Sequence, residues 1–146
     1  MRELVVHGRP VSTVFDLLGR RENDMTFALG WGFAASDALA ASVFEQLGYS
    51  APQGELVIRL QEFADTGGFT DIELIDPGSL HLIFEAKRGW QPPSDEQLAS
   101  YERRLHVKDG PSGALVILTQ RGAESYMAHN VDKQPFDFPR HVLSWS

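Results

Sequence analysis

The chain has 146 residues, of which 42% are hydrophobic and 23% charged, and its formal net charge is −7 at pH 7. This length and composition fit a single folded domain over residues 1–146 and exclude a disordered chain. The sequence contains no cysteine, which excludes disulfides, zinc ribbons, iron–sulfur clusters and thiol nucleophiles. No signal-peptide core or membrane-span-length apolar run occurs, so we predict a cytoplasmic protein with no membrane partner. The acidic balance argues against a nucleic-acid partner, because neutralising phosphates requires a basic surface.

Hydrophobic periodicity predicts helices in the first third of the chain. The predicted helices cover residues 12–18, 22–35 and 36–48. Ser12 is the candidate cap of the first helix, and Ser36 or Asp37 that of the third. The apolar face of the second helix is predicted to contain Met25, Leu29 and Gly32, with Ala28 and Phe33 beside them.

The pattern changes to strict alternation from residue 55, which predicts a strand over residues 55–61. Two further strands are predicted over residues 69–75 and 80–87, and the Pro77-Gly78 pair between them is typical of a hairpin turn. Ser94 and Gln97 form a possible capping box, followed by the apolar stripe Leu98, Tyr101 and Leu105 of a helix.

The remaining sequence predicts a strand over residues 114–119, a long irregular stretch, and a last strand over residues 142–145. The element order is therefore helices, three strands, helix, strand, strand. This order predicts an α/β fold with a mixed central sheet flanked by helices.

The predicted hairpin carries an acidic pair at one end. If Asp71 lies opposite Glu85, residues 72 and 74 pair with residues 84 and 82, and each face of the hairpin is uniform, one apolar and one acidic. That register requires a three-residue turn; a two-residue turn would place Asp71 opposite Phe84 and mix the faces. Lys87 shares the face of Glu85, because side chains two residues apart point the same way.

Two carboxylates beside a lysine suit phosphate chemistry. Mg²⁺ prefers carboxylate oxygens, and it polarises phosphate and lowers the pKa of bound water. Lys87 could orient that water or stabilise the charge that develops on the phosphate. The alternative, which spacing alone favours, is an acidic outer face with a surface ion pair worth under about 1 kcal/mol. A third possibility is that the short D…ExK pattern occurs by chance in an unrelated α/β domain.

Residues 68–87 (GFTDIELIDPGSLHLIFEAK), followed by Gln97 and Tyr101 in a QLxxY-like context, resemble the core of the PD-(D/E)XK nuclease superfamily. Residues 21–26 (RENDMT) resemble the start of the first core helix in that family. Thr70 stands where the name-giving proline would be. The resemblance extends from about residue 20 to the end, and it implies a restriction-endonuclease-like fold with an αβββαβ core.

The resemblance implies the site residues and their roles. The metal ligands would be Asp71, Glu85 and Glu22, with Asp24 as the alternative to Glu22. Lys87 would assist the attacking water, and Gln97 would orient the site or contact the backbone. The implied activity is a Mg²⁺- or Mn²⁺-dependent endonuclease that acts on phosphodiester bonds, with DNA as the expected substrate, and leaves a 5′-phosphate and a 3′-hydroxyl. The alternative is a catalytically inert module of the same fold that binds a protein or nucleic acid.

The charge of −7 predicts weak intrinsic affinity for nucleic acid. Substrate capture would then depend on a homodimer, another subunit or a further domain, and the chain is expected to be the N-terminal part of a longer protein. The sequence contains basic pairs at residues 20–21, 87–88 and 103–104. These pairs could bind the nucleic-acid backbone locally, or they could be ordinary solvated surface residues. His81 could approach the metal or simply be hydrogen-bonded. Trp90 could stack on a base or pack on the neighbouring helix.

Overall fold

A computed structural model describes residues 2–12, 24–62, 69–87, 90–107 and 110–145. The strands are β1 (Leu4–Val6), β2 (Arg9–Pro10), β3 (Val57–Leu60), β4 (Ile72–Asp76), β5 (Leu80–Ala86), β6 (Ser112–Gln120) and β7 (Arg140–Trp145). The helices are α1 (Asp24–Ala35), α2 (Asp37–Gln46), α3 (Asp95–Leu105) and α4 (Glu124–Val131). The helix predicted from Ser12 lies, beyond that first residue, outside the described residues.

The seven strands form one mixed sheet in the order β2-β1-β3-β4-β5-β6-β7. Strands β3, β4 and β5 are antiparallel neighbours, whereas β6 runs parallel to β5 and β7 runs parallel to β6. The parallel connections are made through α3 and α4. The predicted α/β class, with a mixed sheet flanked by helices, is confirmed, and α1, β3, β4, β5, α3 and β6 follow the αβββαβ order of a restriction-endonuclease-like core.

The hairpin has the predicted register. Asp76 lies opposite Leu80, Leu74 opposite Leu82 and Ile72 opposite Phe84, which leaves a three-residue turn of residues 77–79. Continuing this pairing by one residue beyond β4 sets position 71 opposite position 85. The uniform-face argument therefore selected the correct register.

Both faces of the sheet are covered, which corrects the prediction of one apolar and one acidic face. Ile72, Leu74, Leu82 and Phe84 lie in a first core with residues of α1 and α2. Ile83 lies on the opposite face, in a second core with residues of α3 and α4. On that second face Glu73 and Glu85 are buried beneath α3 and Asp71 is half-buried, so the acidic side chains do not form a solvated outer face.

The packed face of α1 agrees with the predicted one in part: Phe33 is buried and Leu29 packs against the first core. Met25 is exposed, and the buried residues of α1 are Thr26, Gly30, Phe33 and Ala34. A Cβ added at Gly30 would lie 2.5 Å from Cδ2 of Leu60, a fully buried residue of β3. Gly30 therefore allows the close approach of α1 to the sheet, and the sequence prediction did not include it.

Capping predictions are confirmed at two helices. The Ser36 hydroxyl accepts a hydrogen bond of 3.1 Å from the Leu39 N–H at the start of α2. At α3, the Ser94 hydroxyl accepts from the Gln97 N–H (3.2 Å) while the Gln97 side-chain oxygen accepts from the Ser94 N–H (3.0 Å). This reciprocal box fixes the position of Gln97 before any ligand is considered.

Three elements were absent from the sequence prediction. Strands β1 and β2 form a short hairpin at the edge of the sheet, turning through His7 and Gly8, both with positive φ (49° and 75°). Helix α4 occupies part of the stretch predicted to be irregular.

Among the described residues no single helix is long and apolar enough to cross a membrane; α1 and α2 reach that length and composition only together, and they are bent by 110°.

Candidate functional site

The site forms at one end of the β4–β5 hairpin. Asp71 immediately precedes β4, Glu85 lies in β5, and Lys87 directly follows β5. The Lys87 N–H donates to the carbonyl of Leu118 in β6 (2.8 Å), which holds the lysine backbone against the next strand. Strand pairing thus brings together three of the predicted site residues that are up to 16 positions apart in sequence.

Helix α3 supplies two further polar side chains above these strands. Gln97 and Tyr101 are four residues apart, so they lie on the same side of α3. The Gln97 side-chain oxygen accepts from Lys87 Nζ (3.1 Å), and its Nε2 donates to Glu85 Oε1 (3.2 Å). Gln97 therefore bridges the lysine and the glutamate, in addition to capping its own helix.

Glu85 is a buried carboxylate with several donors. Its Oε1 lies 3.0 Å from Lys87 Nζ and accepts from Gln97, while its Oε2 accepts from the Tyr101 hydroxyl. Only 4% of Glu85 is exposed. Burial and the negative charge of Glu85 both raise the pKa of Tyr101, so its phenol remains a protonated donor. These contacts fix the orientation of the Glu85 carboxylate.

Asp71 lies against Glu85, and the two carboxyl groups share a hydrogen bond. Burial, the negative charge of Glu85 and this hydrogen bond raise the pKa of Asp71 to about 7, although the Ala86 N–H (2.8 Å from Asp71 Oδ2) and Lys87 oppose the shift. Two carboxylates held close together in a partly desolvated site repel each other, which favours the protonated form of one of them. A divalent cation between the two groups would relieve the same repulsion.

The donor set suits a hard cation such as Mg²⁺, which binds through one or two carboxylates and completes its shell with water and phosphate oxygens. Within the described ranges, no three Asp, Glu or His side chains are close enough to hold one ion. Asp24 is not grouped with Asp71 and Glu85, because α1 packs on the other face of the sheet; its role as the alternative to Glu22 stays a prediction. Glu22 lies outside the described residues, so its proposed role stays a prediction.

A second buried polar cluster lies on the same face, further along the hairpin. Glu73 is fully buried, and its carboxylate accepts two bonds from the Arg104 guanidinium, from Nε and from Nη2 (2.8 Å). His81 Nε2 lies 3.4 Å from Glu73 Oε1. Burial alone would raise the pKa of Glu73, but the neighbouring His81 and the hydrogen-bonded Arg104 guanidinium lower it. This cluster ties α3 to β4.

The site predictions have separate outcomes. The structure brings together Asp71, Glu85, Lys87 and Gln97, as the resemblance implied. Tyr101 was assigned to the apolar stripe of its helix and to the QLxxY-like context, but not to the site, although its spacing of four from Gln97 was a signal that both could reach one group. Among the basic pairs, Arg104 neutralises Glu73 and Arg103 is exposed, whereas Arg20, Arg21 and Arg88 lie outside the described residues. His81 contacts Glu73 instead of the site.

Trp90 packs elsewhere than expected. Half of it is exposed (50%), and its ring contacts Tyr126 of α4 at a centroid distance of 5.2 Å and an interplanar angle of 67°. Of the two alternatives for Trp90, the structure shows packing on a helix, and that helix is α4.

No family model and no curated protein matches the sequence. Among solved structures, the chain is similar to the MspJI restriction endonuclease in complex with a 27-mer oligonucleotide, at 16% identity and a TM-score of 0.30. The likeness covers 92% of this chain and 32% of the endonuclease chain, so this chain spans about a third of its length. At this identity and TM-score the likeness carries no argument about function, which depends on the site itself.

Proposed function

We propose that this chain is a metal-dependent nuclease of the PD-(D/E)XK type that hydrolyses phosphodiester bonds, with DNA as the expected substrate. The observation that carries the proposal is the convergence of Asp71, Glu85, Lys87 and Gln97 at one end of a hairpin, where burial and the negative charge of Glu85 raise the pKa of Asp71. Residues of these types in this order are those of the family that the sequence resembles.

In this proposal Asp71 and Glu85 hold Mg²⁺ or Mn²⁺, with Glu22 as a further ligand. The bound ion would polarise the phosphate and lower the pKa of the attacking water. Lys87 provides a positive charge beside the reacting phosphate, where it stabilises the negative charge that develops on the oxygens. Gln97 holds the Lys87 amine 3.1 Å from its own oxygen and so keeps that charge in place. Tyr101 acts through Glu85, whose orientation it fixes.

The partners of the site are also proposals. The net charge of −7 favours weak intrinsic affinity for DNA, so a homodimer, a second subunit or a further domain would assist capture. The single-domain organisation and the cytoplasmic location stay predictions.

A catalytically inert binding module is the second candidate. One observation favours it: Glu85, Lys87, Gln97 and Tyr101 satisfy one another's hydrogen bonds without any metal. A module of this kind would need no cation, whereas a nuclease would bind one at Asp71.

The test is cleavage of supercoiled plasmid and of single-stranded DNA in Mg²⁺ or Mn²⁺ by the wild type, Asp71→Asn and Glu96→Gln. Glu96 is an exposed acid of α3 beside Gln97, so its substitution is a matched control for a changed charge. We expect cleavage by the wild type and the control, and loss of cleavage in Asp71→Asn. Equal cleavage by Asp71→Asn would refute the site. No cleavage by any protein, together with no Mn²⁺ binding by calorimetry, would refute the nuclease and favour the inert module.

A further inference from the structure

Two exposed aromatic side chains are paired on the surface. Large hydrophobic side chains that are exposed singly are common on protein surfaces and need no explanation. Trp90 and Tyr126, however, are both about half-exposed, and their ring centroids lie 5.2 Å apart. An edge-to-face pair of this kind leaves ring surface open to solvent. The pair therefore presents exposed aromatic ring surface that is not part of either hydrophobic core.

The pair lies at the same end of the sheet as the candidate site. Strands β5 and β6 are parallel, with Glu85 beside Ile117 and Ala86 beside Leu118. Trp90 comes three residues after Lys87, and Tyr126 lies in the first turn of α4, which begins shortly after β6 ends. Trp90 thus follows the carboxyl end of β5, which carries Glu85, and Tyr126 follows the carboxyl end of β6, the parallel neighbour of β5.

The segment that carries Trp90 is fixed to the region of α4 at two points. Trp90 contacts Tyr126 near the start of α4, and Gln134, beyond the end of α4, donates through Nε2 to the Pro93 carbonyl (2.8 Å) and to Asp95 Oδ1 (3.0 Å). Pro93 is buried. The aromatic surface is therefore held in place before binding, which reduces the entropy that a ligand must overcome.

We propose that Trp90 and Tyr126 form a stacking platform for an unpaired base of the DNA strand whose phosphodiester bond lies at Asp71 and Glu85. The proposal rests on the proposed function and specifies its substrate as DNA with unpaired nucleotides. In a duplex the faces of the bases are covered by their neighbours, so only a single strand or an opened end can offer a face to the platform. Stacking also requires no basic surface, which suits a chain with a net charge of −7.

The test measures binding, not cleavage. In the Asp71→Asn background, binding of a 12-nucleotide oligo-dT is compared with that of a blunt hairpin duplex, with Trp90→Ala, Tyr126→Ala and Val107→Ala added singly. Val107 is a matched control, because it is an exposed apolar side chain just beyond the other end of α3. We expect about tenfold weaker oligo-dT binding for each aromatic variant, from the loss of one stacking contact, and unchanged binding for Val107→Ala. Duplex binding should not change.

A spectroscopic measurement identifies the base contact directly. Oligo-dT should quench the tryptophan fluorescence of the Asp71→Asn protein, and Trp90→Phe should remove most of that quenching while retaining most of the affinity. Equal oligo-dT binding by Trp90→Ala and its parent would overturn the proposal, as would quenching that persists in Trp90→Phe. An equal loss of duplex and single-strand binding would also overturn it. Because these readouts need no turnover, a failure of the platform is distinguishable from a failure of the nuclease.

Discussion

Replacing Arg104 with methionine would leave the Glu73 carboxylate uncompensated in the second core. Glu73 is fully buried and receives two hydrogen bonds from the Arg104 guanidinium. After the substitution only His81 remains beside it, 3.4 Å from Oε1. Breaking a buried ion pair from one side typically costs 3–5 kcal/mol. The Arg104 side chain is 22% exposed, so some water can reach the vacated space, and we expect the lower end, about 3 kcal/mol.

For a chain of this size, a loss of about 3 kcal/mol lowers the Tm by roughly 10 °C. Thermal unfolding followed by circular dichroism near neutral pH measures it, with Arg103→Met as the matched control, because Arg103 is the exposed neighbour. We expect the control to change stability by less than about 0.5 kcal/mol. The double variant Glu73→Leu/Arg104→Met should recover most of the loss, because it removes the charge as well as its partner.

The pH dependence gives a second check on the same pair. The pKa of Glu73 is lowered in the folded protein, so the pair stabilises the fold above the pKa of the unfolded carboxyl and loses that contribution as pH falls. In Arg104→Met the deficit should therefore shrink in acid, where Glu73 takes up a proton. An Arg104→Met protein within about 0.5 kcal/mol of wild type, or a double variant as unstable as the single one, would refute the assignment of Glu73 and Arg104 as an ion pair that fastens α3.

Three further outcomes follow from the site and the first core. Tyr101→Phe removes a donor to the buried Glu85 carboxylate and should cost about 1.5–3 kcal/mol, seen as a lower urea midpoint with an unchanged m-value. Because the pKa of Asp71 is raised to about 7, the metal-free protein should lose stability as pH rises through 7, and Mg²⁺ should raise the Tm more at about pH 8 than at about pH 5.5; Asp71→Asn should abolish both effects. Gly30→Val places a Cβ 2.5 Å from Leu60 and should cost about 2–3 kcal/mol in thermal unfolding; an unchanged Tm would contradict the packing described.

The register of the hairpin and the position of its acidic pair were predictable, because side-chain alternation along the strands determines both. Alternation along a strand fixes which residues share a face, and Pro77 and Gly78 fix where the chain turns. Only the register with Asp71 opposite Glu85 keeps both faces uniform, and the structure has that register. The resemblance then added Gln97, which the capping box places over the hairpin independently of any ligand.

The remaining features depend on contacts that no local pattern encodes. Helix α4 has only eight residues, and Ala123 at its capping position offers no side-chain cap. Neither its length nor a capping residue therefore predicts this helix from the sequence. The face of α1 is set by Gly30 meeting Leu60, a contact between residues 30 positions apart. The buried charge of Glu73 is likewise stable only because α3 places Arg104 above it, and position in the sequence does not reveal this.

The acidity of the chain is a weaker objection to a nucleic-acid substrate than the net charge suggests. Glu73 is neutralised by Arg104 and Glu85 by Lys87, and the pKa of Asp71 is raised to about 7, so these residues together contribute little of the −7. A divalent cation held by Asp71 and Glu85 would leave this end of the sheet locally positive. Acids more than about 8 Å away are largely screened at physiological ionic strength. A phosphate at the site would therefore meet the cation and Lys87 first, and a base stacked on Trp90 would add affinity that does not depend on charge.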